Sequence, residues 1–108
     1  MTWGIVCETN RVEYAINVNG KEEKFVSKGI VFVNREITTE PSSAYKGPED
    51  DVMTDKYSAE SEHGDFVWEV VARRAGFDGH ASIESTEVTI PESCKLLIDA
   101  KFDIQENE

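Results

Sequence analysis

Histidine, cysteine and basic residues are scarce in this chain of 108 residues, which has two histidines, two cysteines and 11 lysines and arginines against 22 acids. Each shortage closes a route. His63 and His80 are the only imidazole bases and neither lies in a nucleophile motif, so Ser-His or Cys-His catalysis has no recognisable centre. Cys7, His63, His80 and Cys94 are too dispersed for the close ligand spacing of a structural zinc site. The run Gly76-Phe77-Asp78-Gly79 reads as a turn and not as a phosphate-cradling loop. Glu49-Asp50-Asp51 with Asp55 lacks the alternate-ligand spacing and central glycine of a calcium loop. The expectation is a protein that is not an enzyme, with no catalytic residue, no cofactor and no metal.

The charge balance and the apolar runs exclude further classes. A net charge of −11 repels phosphates, which argues against direct nucleic-acid binding and against an anionic membrane surface. No stretch approaches the roughly 18 apolar residues that a membrane helix requires. The opening MTWGIVCETNRVEY has no basic region and too short an apolar stretch for a secretory signal. Cys7 and Cys94 are therefore expected as two separate, part-buried thiols in a cytoplasmic protein.

What remains is β pattern. Trp3, Ile5 and Cys7 point one way along an extended stretch, and Val12, Tyr14, Ile16 and Val18 do the same. Asn19-Gly20 follows at once, the pair that a type I′ hairpin turn demands because both central residues take positive φ. Ile30-Val31-Phe32-Val33 is dense enough to predict a central strand covered on both faces. Phe66–Ala75 carries three valines, a Phe and a Trp and reads as a strand, with an amphipathic helix as its alternative. Leu96, Ile98, Ala100, Phe102 and Ile104 alternate through a last long strand. Strands are predicted near 2–7, 12–18, 22–33, 66–74, 81–90 and 95–105. The predicted core is Ile5, Tyr14, Ile16, Phe25, Val31, Val33, Trp68, Val70, Ile83, Ile98, Ala100 and Phe102. The fold class is mainly β: one domain over 1–108, an antiparallel sandwich or open barrel of about 6–8 strands. The alternative is a β-rich α+β fold with one short helix.

Between these β stretches lies a segment of a different kind. Residues 40–65 hold eight acids against two lysines, a net of −6 within the chain's −11. With Pro41, Pro48, Gly47 and several serines among few apolar residues, the segment reads as an exposed, mobile acidic loop. Such a concentration suggests a basic protein partner, drawn in by long-range attraction. The predicted partner-binding residues are Glu49, Asp50, Asp51, Asp55, Glu60 and Glu62, with Tyr45, Met53 and Tyr57 supplying apolar contact. The functional expectation is a small acidic binding module, an inhibitor occupying the basic surface of a nuclease or other nucleic-acid-binding protein. Immunity proteins, anti-defence inhibitors of phages and DNA mimics share that physical design. The alternatives are a structural or assembly β protein of a phage or secretion system, and a small-ligand-binding β domain.

Overall fold

The computed structural model describes residues 2–42 and 47–107, and among them it contains nine strands and no helix. The strands are β1 (Thr2–Cys7), β2 (Glu13–Val18), β3 (Lys21–Val26), β4 (Val31–Glu40), β5 (Asp50–Ala59), β6 (Phe66–Arg74), β7 (Ala81–Thr89), β8 (Cys94–Ile98) and β9 (Phe102–Asn107). Every ladder is antiparallel, and the ladders make three sheets in the orders β1-β9, β3-β2-β8 and β4-β5-β6-β7. The mainly β class is therefore as the alternation predicts, and Phe66–Arg74 is a strand, not the helix of the alternative reading. The Asn19-Gly20 turn joins β2 to β3 with φ of 52° and 82°, and the Asn17 side chain accepts a hydrogen bond from the Gly20 N–H at 3.0 Å.

One hydrophobic cluster unites the sheets. The inward rows of β5 (Met53, Tyr57, Ala59) and β6 (Phe66, Trp68, Val70, Ala72) meet Ile5 of β1, Tyr14 of β2 and Cys94 of β8. Trp68, Phe66 and Tyr14 are the largest side chains shut off from solvent. Their polar atoms find partners: Trp68 Nε1 donates to Asp99 at 2.9 Å, and Tyr14 Oη shares a hydrogen bond with His63 Nδ1 at 2.9 Å. The radius of gyration is 16.9 Å, whereas a compact domain of about 100 residues has roughly 13 Å. Among the described residues the cluster takes none from β4 and only Ile83 from β7.

Four expectations are corrected. First, Asp50–Ala59 is not an exposed loop but a ten-residue strand hydrogen-bonded on both sides, to β4 and to β6. Only the flanks of the acidic segment lack strand structure among its described residues. Second, the predicted central strand around Val31–Val33 lies at the edge of its sheet, and Val31, Val33 and also Ile98 are exposed where core positions were expected. Third, the stretch 22–33 contains parts of two strands, β3 and β4, separated at Ser27–Ile30. Fourth, the last alternating run breaks into β8 and β9, which join different sheets. Asp99 makes that break: its Oδ1 accepts from the Ala100 N–H at 2.7 Å as well as from Trp68, a local side-chain bond that competes with the ladder.

Candidate partner-binding surfaces

β5 distributes the acids of the segment rather than gathering them. Asp55 stands opposite Arg35 of β4 in the ladder and is wholly buried. Arg35 grips it with two parallel bonds, Nε to Oδ1 at 2.7 Å and Nη2 to Oδ2 at 2.8 Å, the bidentate geometry that makes such a pair strong and directional. Tyr57 Oη donates either to Asp55 Oδ2 at 3.3 Å or to the Ile5 carbonyl of β1 at 3.2 Å. Burial, then the negative charge of Asp55, pushes the Tyr57 phenol up to about 12. The hydrogen bonds that Arg35 donates to Asp55 hold its guanidinium above its ordinary value, so it stays charged.

Asp50 is the second buried acid, and it too meets an arginine. Arg73 of β6 donates to Asp50 at 3.1 Å, to Glu40 at 2.5 Å and to Glu84 at 2.8 Å. Asp50 Oδ1 also accepts from the Gly76 N–H at 3.1 Å. The backbone comes so close there that a Cβ on Gly76 would collide with the Glu49 carbonyl and lie 2.9 Å from that of Pro48. Only glycine allows that approach. Arg73 thus holds one buried carboxylate and two exposed ones.

The remaining predicted site residues fall at opposite ends of β5. Glu49 is exposed and Asp51 half-buried, and both line a shallow depression with Pro48, Arg74, Ala75 and Gly76. Glu60 and Glu62 are exposed beyond the other end, where Glu60 faces Lys28 at 3.7 Å across open solvent. At roughly 3.3 Å per residue the two groups stand about 30 Å apart. Met53 is buried in the core and Tyr57 nearly so, while Tyr45 lies outside the described residues. The eight described residues of the predicted set therefore do not form one patch, and Asp50, Met53, Asp55 and Tyr57 among them are buried.

Two other surfaces are open to solvent. The outward face of the four-stranded sheet carries Asn34, Lys56, Glu69 and Glu87 in one cross-strand row and Glu36, Thr54, Val71 and Ser85 in the next. With Glu40 and Glu84 beside Arg73, this face presents five exposed carboxylates against Lys56 and Arg73. The other surface is the β4 edge, exposed along its whole length, with Phe32 at 52% and Ile37 at 58% of full accessibility. Beside its inward row runs an open groove of about 480 Å³, lined by Ile5, Val6, Cys7, Ile30 and Phe32 with Arg35 and Tyr57. Burial raises the Cys7 thiol above its ordinary value, which disfavours the reactive thiolate. Neither surface was singled out from the sequence. The one signal for β4 was the abrupt change from Val31-Phe32-Val33 to Asn34-Arg35-Glu36, a pattern that suits a half-covered edge better than a central strand.

Among the described residues no cluster of three or more His, Cys, Asp or Glu side chains could hold a metal ion. The three carboxylates that do converge enclose the Arg73 guanidinium instead. No helix is long and apolar enough to cross a membrane among the described residues. Comparison of the chain with family models, curated proteins and solved structures gives no match in any of the three.

Proposed function

We propose that the protein is a small acidic binding module that occupies a basic surface of a partner protein, of the kind that otherwise holds nucleic acid. The observation that carries this reading is where the charge goes. The two acids that enter the interior, Asp50 and Asp55, are each met by an arginine. The interior is thus close to neutral and the net −11 is displayed at the surface. A surface of that charge accelerates encounter with a basic groove and repels nucleic acid competing for it. The sheet face bearing Glu36, Glu69 and Glu87 is a part of that surface held in place, because its carboxylates project from paired strands. This assigns binding to sheet carboxylates in place of the loop expected from the sequence.

The test begins with partner capture from nuclease-treated extract, followed by association rates measured from about 50 to 500 mM salt. Steered association slows steeply over that range. Reversing Glu36, Glu69 and Glu87 to lysine together should slow it by roughly tenfold or more. A rate indifferent to salt and to the triple reversal contradicts the proposal. A second reading, an assembly protein that pairs strand edges with its neighbours, is favoured by one observation, the uncovered β4 edge.

A further inference from the structure

We propose that β4 receives an extended segment of the partner as a fifth strand of the sheet, a segment that alternates apolar and basic residues. This rests on the binding-module reading and names the chemistry of the segment that docks. An edge strand offers a row of backbone N–H and C=O groups with no ladder, and strand addition uses that row for affinity and alternate side chains for specificity. Among the described residues β4 pairs only with β5. Proteins usually guard such an edge with proline, lysine, bulges or inward-pointing charge. β4 contains no proline and no lysine, and its irregularity between Phe32 and Asn34 lies near one end. Its inward charge, Arg35, is cancelled by Asp55. From Asn34 to Glu40 the register runs without interruption, a length of seven residues or about 23 Å.

The side chains flanking that run state what would fit. On the inward side, Ile37 and Phe32 are more than half exposed, and the groove lined by Ile5, Val6 and Ile30 lies beneath. Apolar residues of an added strand would cover them. On the outward side stands Glu36, which among the described residues makes no salt bridge, on a face already rich in carboxylates. A lysine or arginine of the added strand would lie beside it. A second copy of the chain fits less well, because it would bring a further −11 into contact at separations within the Debye length of about 8 Å. The opposite edge, β7, offers no comparable run. Its pairing with β6 shifts register near its middle, so its longest uninterrupted run is the five residues Ser85–Thr89.

The experiment uses the full chain, labelled for backbone NMR, with three capped eight-residue peptides as probes. One alternates valine and lysine, one alternates valine and glutamate, and one is the valine-lysine peptide with its alternate amides methylated so that it cannot complete a ladder. The valine-lysine peptide should saturably shift the β4 amides and slow their exchange from Asn34 to Glu40. The glutamate and methylated peptides should bind at least tenfold more weakly. Ile37→Lys and Glu36→Lys, both at exposed sites, should each weaken the valine-lysine peptide at least fivefold while leaving the fold intact by circular dichroism. Unchanged β4 amides, or equal binding of the methylated peptide, overturn strand addition. If β4 stays silent while association with a captured partner remains salt-dependent, the strand-addition inference alone falls. If both charged peptides bind β4 equally, the basic chemistry falls and with it the reading on which it rests. Concentration-dependent dimers in sedimentation that Ile37→Lys abolishes would assign the edge to a second copy, and so overturn the inference as well.

Discussion

β4 and β5 are both ten residues long and pair along nearly their whole length, with one register shift between Phe32 and Asn34, yet they are opposites in composition and in burial. β4 opens with the densest β-branched and aromatic run of the chain and is exposed throughout. β5 comes from the most acidic segment and supplies Met53, Tyr57, Ala59 and two buried carboxylates to the interior. Place in the sheet decides the outcome. A strand with neighbours on both sides has its backbone satisfied and one face pressed on the core, so its acids are tolerated if counter-charges meet them. A strand with one neighbour keeps its apolar side chains at the rim, however hydrophobic they are.

Arg35 should give the largest effect that bears on this contrast. Arg35→Ala leaves Asp55 buried without its counter-charge and should cost about 3–5 kcal/mol of folding stability, measured by urea denaturation. The aspartate-lacking Asp55→Asn should cost less, because Arg35 reaches solvent. If the order reverses, Asp55 is not held as the geometry shows.

Next comes a matched pair. Met53 and Ile37 are direct ladder partners, at 1% and 58% of full accessibility. Met53→Ala should cost about 2–4 kcal/mol through lost burial and the cavity left behind. Ile37→Ala should stay below about 1 kcal/mol, as for an exposed position. Similar costs at both sites would mean that β4 is covered after all.

Alkali tests the same strand through Tyr57. Its phenol ionises near 12 in the folded protein, above the ordinary value of 10. The unfolded chain therefore loses that proton first as pH rises. The stability due to this group is complete below pH 10 and declines between 10 and about 12. Tyr57→Phe should remove that decline, read from melting temperature against pH and from phenolate absorbance. The smallest effect belongs to the rim of the Arg73 cluster, where Glu40→Gln or Glu84→Gln should change stability by less than about 0.5 kcal/mol, as exposed ion pairs do.

How far these features were legible follows from what local pattern encodes. The β2-β3 hairpin was readable because Asn19-Gly20 fixes its own geometry. β6 was readable because Phe66, Trp68, Val70 and Ala72 share one face in a stretch dense in β-branched and aromatic residues. β5 was not, because Asp55 interrupts the inward row of Met53, Tyr57 and Ala59, and Asp50 is buried at the strand's start. Those acids are satisfied by Arg35 and Arg73, which lie 20 and 23 positions away in the chain. No local window contains both halves of either pair. The candidate site suffered most from this, since its acidic members were chosen by proximity along the chain and an extended strand separates what a loop would have kept together.

Backbone amide exchange across residues 31–59 of the isolated protein tests the inversion of β4 and β5 most directly. The account predicts that Asp50–Ala59 exchange as slowly as β6, near the limit set by global unfolding, because both edges of β5 are paired. Along β4 it predicts alternation, with amides bonded to β5 protected and those turned to the open edge exchanging rapidly. Fast exchange throughout β5, or protection of every amide along β4, would contradict it.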